Sequence, residues 1–244
     1  MLLLYLPIAV IIVYSFNYSE TDAVWGGFTT GWYRTLFANR RLLDSVANSV
    51  RVTMLAVCIS VVLGTFGAVA AARCGKFVKR SISALIFTPL ILPEIILGTG
   101  LLLFFTAMPV NFGILAIALA HTTFCIPYIY IFVSIRLKKL DPALIDAARD
   151  LGAGACRTFF AVTLPSILPA VTTGALISAA MSLDSVVMSS LLSAPDSITF
   201  PVRLFSLMRI GTTPEVNALS ALMIVAMFGF AAVGFFLMRV KKNE

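Results

Sequence analysis

Two carboxylates stand where the surrounding side chains are apolar: Glu94 in the stretch LILPEIILG and Asp184 in AAMSLDSVVMSS. An ionised carboxylate turned to hydrocarbon costs several kcal/mol, so such residues face a partner or a polar pathway. Asp184 is the stronger pathway candidate, and Ser182, Ser185, Ser189 and Ser190 beside it offer polar lining. Glu94 has a second reading, as an acid bonded to backbone groups that Pro89 and Pro93 leave free. Phe124, Tyr128 and Tyr130 could present ring faces to a cation; the other reading is packing. His121 is expected to be a helix-packing hydrogen bonder. The cysteines at 58, 74, 125 and 156 form no CxxC pair and read as small buried hydrophobes. No metal-ligand cluster and no nucleophile–base pair is visible. No GxxxxGK[ST] occurs, so the sequence predicts no cofactor and no nucleotide chemistry in this chain.

The elements that hold these residues must be membrane helices. Of 244 residues, 60% are hydrophobic and only 12% charged, and the mean hydropathy is +1.01. An ordinary soluble domain carries about 25% charged residues. A core of this size buries about three quarters of its chain surface, which cannot hide so much apolar area. A soluble enzyme, a nucleic-acid binder and a disordered regulator are thereby excluded. The net charge of +7 and pI near 9.5 fit the excess of Lys and Arg that membrane proteins keep in the cytoplasm.

A spanning helix needs about 20 apolar residues. Six are expected, at about 1–16, 46–72, 82–107, 113–135, 163–192 and 216–238, with turn residues from Met108 to Gly113 between the third and fourth. The first lacks the basic start and the small-residue cleavage site of a signal peptide and reads as a span. With the aromatic loop 17–45 outside, Arg73, Lys76, Lys79 and Arg80 lie inside. Arg136, Lys138, Lys139, Arg149 and Arg157 join them, as do Arg239, Lys241 and Lys242. Arg34, Arg40, Arg41, Arg51, Arg203 and Arg209 lie outside. Both termini are then cytoplasmic. Trp25, Trp32 and Tyr33 suit interfacial anchoring, with packing on the outer surface as the alternative.

The hydrophilic segment 141–157 joins the fourth and fifth spans. Asp141 is a good N-cap, Pro142 suits the first helical turn, and Gly152 suits the left-handed position after a helix. Leu140, Leu144, Ala147, Ala148 and Leu151 form one apolar stripe, and a second short helix should lead to a bend at Leu164-Pro165. Periodicity alone leaves a surface-lying connector and a docking element equally open.

The residues Asp146-Ala147-Ala148, Gly152, Val162 and Leu164-Pro165 resemble the EAA motif of ABC-importer permeases at every spacing: E-A-A, three residues, G, nine residues, I, one residue, L-P. Asp146 replaces the usual Glu and Val162 the usual Ile. The resemblance implies a coupling helix that docks on a separate ATPase subunit, with Asp146, Ala147, Ala148, Gly152, Leu164 and Pro165 as coupling residues. Nearly the whole chain resembles the second permease of spermidine/putrescine importers, most specifically in LAHTTFC from Leu119, in Ser182-Leu183-Asp184-Ser185 and in Thr199 to Leu219. Ser185 stands where that family commonly has a second acid.

The resemblance therefore implies an all-α integral membrane protein of type I ABC-importer permease fold. Residues 1–244 would form a single transmembrane permease domain in a bacterial cytoplasmic (inner) membrane. It implies a polyamine as solute, for which the pathway candidates read from the residues are Asp184, Glu94, Ser185, Tyr128 and Tyr130. Its expected partners are an ATP-binding subunit dimer that holds Mg-ATP, a second permease, an extracytoplasmic solute-binding protein, the small-molecule solute and membrane lipid, but no nucleic acid. The alternatives are an importer permease for ferric iron, sulfate, molybdate or thiamine, and a non-transport membrane protein.

Overall fold

Inside a bilayer each backbone N–H and C=O must find its partner within the protein, and apolar runs meet that demand as helices. The computed structural model describes residues 2–19, 24–108, 112–210, 215–226 and 229. In chain order these contain α1 (Leu2–Tyr14), α2 (Gly31–Ala38), α3 (Arg40–Arg73), α4 (Lys76–Ile91), α5 (Glu94–Ala107) and α6 (Ile114–Lys138). There follow α7 (Pro142–Asp150), α8 (Ala155–Thr158), a π turn (Phe159–Thr163), α9 (Leu164–Asp184), α10 (Val187–Leu192), α11 (Phe200–Ile210) and α12 (Glu215–Ala226). Among the described residues the extended pairing is a single bridge, Asn17 to Phe28.

Three continuous segments are long and apolar enough to cross a membrane: Arg40–Arg73, Ile114–Lys138 and Ala155–Asp184. The expected span at 82–107 is corrected. Two helices, α4 and α5, meet at a bend of 106°. Pro93 has no N–H to donate and forces its predecessor out of the helical region, and Leu92 is extended at ψ 135°. The expected span at 163–192 is also broken. Helix α9 stops at Asp184, Ser185 is extended at ψ 112°, and α10 begins two residues later. The stretch expected at 1–16 has 13 helical residues in α1. Helix α12 covers the start of the expected 216–238 span; most of the rest lies outside the described residues, as do 109–111 of the expected turn.

The chain divides into two compact units, and the boundary falls within α3. The first holds residues up to Ser49 and from Ile198 onward. Its core is Leu36, Leu42, Phe200, Ala218 and Leu219, with Trp32 and Tyr33 packed against it. Those two aromatics follow the packing reading of the 17–45 loop. Buried Asn17 organises the loop: its amide donates to Val24 O at 2.9 Å and accepts from Gly26 N at 2.8 Å, while Trp32 Nε1 donates to Asn17 O at 2.7 Å.

The second unit runs from Val50 to Ser197. Helices α6 and α9 pack closely through small residues. A Cβ on Gly174 would stand 3.0 Å from Ile129 Cα, and one on Gly64 would stand 2.7 Å from Ile129 Cβ. Ile129 is fully buried between the two glycines. Helices within lipid associate by such close packing and by interhelical hydrogen bonds, since burial from lipid gives little hydrophobic drive. Ser178 Oγ accordingly donates to Cys125 O at 3.2 Å across the same contact.

Candidate functional site

Both helix breaks of the second unit open on one cavity. It has a volume of about 240 Å³ and is lined by Pro89, Leu90, Leu92, Glu94 and Leu97 from α4–α5, Phe124 and Tyr128 from α6, and Met181, Asp184, Ser185 and Met188 from α9–α10. Four of the five expected pathway residues, Glu94, Tyr128, Asp184 and Ser185, therefore share one chamber. Glu94 and Asp184 are exposed, and no Lys or Arg is among the lining residues. The volume lies below the roughly 300–1,000 Å³ of pockets for drug-sized ligands and suits a small solute.

Each break gives the chamber one acid. Glu94 is the first residue of α5, directly after Pro93. Its Oε1 accepts from Ser185 Oγ at 2.7 Å and from Met188 N at 3.4 Å. The carboxylate thus bonds to the far break rather than to backbone freed by Pro89 and Pro93. Asp184 is the last residue of α9, with its carboxylate exposed. Broken helices inside a membrane protein gather charged and hydrogen-bonding groups where an ion or polar solute can reach them.

Tyr130 is not part of this chamber. It is buried, its hydroxyl lies 2.7 Å from Ser83 Oγ, and its ring meets Phe87 edge-on. It lines a second cavity of about 380 Å³ between α3, α4 and α6. Ser182 and Ser189 are not lining residues either. His121 Nδ1 lies 2.8 Å from Ser182 Oγ, and His121 Nε2 lies 3.1 Å from Ser189 Oγ. All three are buried. This polar cluster behind the chamber was legible only as a histidine and scattered serines, because residues 61 and more positions apart carry no common spacing.

The 141–157 segment has its expected caps. Asp141 Oδ1 accepts from Ala143 N at 3.0 Å, and Pro142 opens α7. Gly152 has φ +81°. Gly152 N donates to Arg149 O at 2.8 Å and Ala153 N to Ala148 O at 3.0 Å, which is the Schellman pattern. No residue of α7 is buried. Leu144 is 51% exposed and Leu151 89%. Asp146 pairs loosely with Arg149 at 3.9 Å on the same helix. The helix is not interrupted at Leu164-Pro165: Ala155 to Asp184 runs on through the π turn. Leu164 N donates to Phe159 O, five residues back, and this widened turn precedes Pro165, which has no N–H to offer.

A family model described as "Binding-protein-dependent transport system inner membrane component" matches residues 64–241. The chain belongs to this family. It is the membrane component of a transport system, and its task is passage of solute rather than catalysis. The permease is 39% identical over 238 residues to the Putrescine transport system permease protein PotI of Escherichia coli K12, covering 94% of this chain and 85% of that one. It is 37% identical over 222 residues to the Spermidine/putrescine transport system permease protein PotC of Haemophilus influenzae, covering 91% and 86%. Among solved structures, a bacterial ABC transporter involved in import of the acidic polysaccharide alginate matches the permease with TM-score 0.76 at 14% identity, covering 97% of this chain and 89% of that one. The MetNI methionine ABC transporter matches with TM-score 0.66 at 18% identity, covering 87% and 99%. These likenesses show the fold: the permease has the all-helical architecture of ABC-importer membrane subunits.

Proposed function

We propose that this permease conducts polyamines, putrescine foremost, into the cytoplasm as one half of an ATP-driven importer. The observation that carries this reading is the chamber itself: two carboxylates from two helix breaks, aromatic side chains in the same lining, and no basic lining residue. Two carboxylates match the two ammonium groups of a diamine, and Tyr128 and Phe124 can supply cation–π contact. A sulfate or molybdate pathway would not set two carboxylates, with no basic side chain, along the route of its anion. The names of the related permeases agree with a polyamine solute.

The same proposal takes residues 1–244 as one permease domain with six spans and both termini in the cytoplasm of a bacterial cell. A related second permease completes the pathway, and an extracytoplasmic binding protein delivers solute to the outer loops. Helix α7 is the coupling helix. Its exposed apolar stripe, from Leu144 to Leu151, seats in a cleft of a dimeric ATPase, which binds Mg-ATP. Asp146, Ala147, Ala148 and Gly152 form the contact, and Leu164-Pro165 joins it to α9. The test is ATP hydrolysis and uptake by the reconstituted complex with a panel of polyamines, ferric iron, thiamine and oxyanions. Stimulation by putrescine or spermidine is expected; stimulation by an anion alone would sink the polyamine reading.

A further inference from the structure

His121 does not line the chamber. It is fully buried behind Phe124, one turn along α6, with the two rings 5.2 Å apart. Its two nitrogens bond to serines on opposite sides of the α9–α10 break: Ser182 in the last turn of α9 at 2.8 Å, and Ser189 in α10 at 3.1 Å. Ser182 Oγ is also 3.0 Å from Thr53 Oγ1 of α3. The result is a buried chain of groups, Thr53–Ser182–His121–Ser189, that ties four helices together.

The spacing of the two serines gives this chain its meaning. They are seven residues apart. In an unbroken helix they would share one face with a rise of about 10.5 Å between them. Two hydrogen bonds and the width of one imidazole ring fall short of that rise. The ring therefore bonds both serines only while the helix is broken between them. A neutral imidazole has one N–H and one lone pair, and hydroxyls can serve either. Straightening the helix would leave a buried nitrogen or hydroxyl without a partner, where no water is at hand to replace it. On the chamber side, the Glu94 carboxylate bonds Ser185 within the break and the Met188 N–H just after it.

We propose that His121 is the positioning residue of the cation chamber: it clasps both sides of the α9–α10 break and thereby sets where Asp184 and Ser185 stand. This rests on the reading of the chamber as the transport site, but the clasp has a test independent of the solute. Without the clasp, α10 can realign with α9 and withdraw Ser185 from Glu94.

The test uses the full importer in proteoliposomes, with His121→Leu, His121→Gln and Ser189→Ala permeases. Spin labels at Ala180→Cys and Ser190→Cys, both exposed positions flanking the break, report its geometry by dipolar broadening. For this readout Cys58, Cys74 and Cys156 are replaced by Ser. His121→Leu and Ser189→Ala should shift or spread the label separation. His121→Gln should keep it near the native value, because one amide supplies a donor and an acceptor. With both of its buried hydrogen bonds lost, maximal putrescine uptake per assembled complex should fall at least about tenfold in His121→Leu. The half-saturating concentration of putrescine-loaded binding protein should stay unchanged, and the glutamine variant should recover most of the rate. A native label separation in both His121→Leu and Ser189→Ala would overturn the proposal, as would a glutamine variant no better than leucine. Should His121→Leu not assemble, the label separation in Ser189→Ala decides. Altered label separation in an importer that does not move putrescine would support the clasp and sink the solute reading.

Discussion

Asp184 and Glu94 share a chamber but differ in their attachments, and substitutions should separate them. Asp184 is exposed, and its carboxylate has no hydrogen-bond partner or counter-ion among the described residues. Asp184→Asn keeps the shape and removes the charge, so polyamine uptake should fall while the complex assembles normally. Unchanged uptake kinetics would make Asp184 a bystander. Glu94 also holds Ser185 and Met188 N. Glu94→Gln retains an acceptor, whereas Glu94→Ala removes bonds to a charged group, each worth about 1.5–3 kcal/mol. Thermal unfolding of the detergent-solubilised permease should be lowered more by alanine than by glutamine, and equal midpoints would refute the bracing role. The sequence identified both acids because a carboxylate in an apolar run is conspicuous. It misplaced Tyr130, because neighbouring positions of one helix look alike until the packing partners, here Ser83 and Phe87, are known.

At the scale of elements, what is written in local chemistry was legible, and what depends on distant partners was not. The ends of α7 follow from Asp141, Pro142 and Gly152, whose effects act within a few residues. The α4–α5 break has a local cause in Pro93, yet the expected span ran straight through it, and both the break and its 106° size needed the structure. The α9–α10 break has neither glycine nor proline; its side-chain bonds come from Glu94 and His121, 91 and 61 positions away. Helix α7 carries a prediction of its own. A Cβ at Gly152 would meet nothing within 4 Å, so Gly152→Val acts through its φ of +81° alone, at a cost of about 1–3 kcal/mol. Ala148→Asp places an unpaired charge on the proposed docking face. Each variant should insert normally, yet lose ATPase recruitment or uncouple hydrolysis from uptake. Normal co-purification of the ATPase and normal uptake in both would show that α7 is only a connector.

For the whole molecule, orientation is the property that labelling can decide. Cys74 follows α3, Cys156 lies in α8, and both are exposed. Single-cysteine variants should react with an impermeant maleimide only after the membrane is opened; rapid labelling of intact cells at either would invert the topology. The π turn at Phe159–Thr163 matters at this scale too. The 141–157 segment hangs between Arg136, whose Nε donates to Ser166 O at 2.9 Å, and α8, which continues through the π turn into α9. Where a π turn interrupts an α-helix, the residues on either side are out of phase by one position, an angle of about 100°. The azimuth of α8, and of the alanine face attached to it, is thus set by a single surplus residue in the shaft. Deleting Ala161 would remove that residue and turn the α8 end of the shaft like a mis-cut key; under the proposed docking of α7, Ala147 and Ala148 would then face the wrong side of the lock.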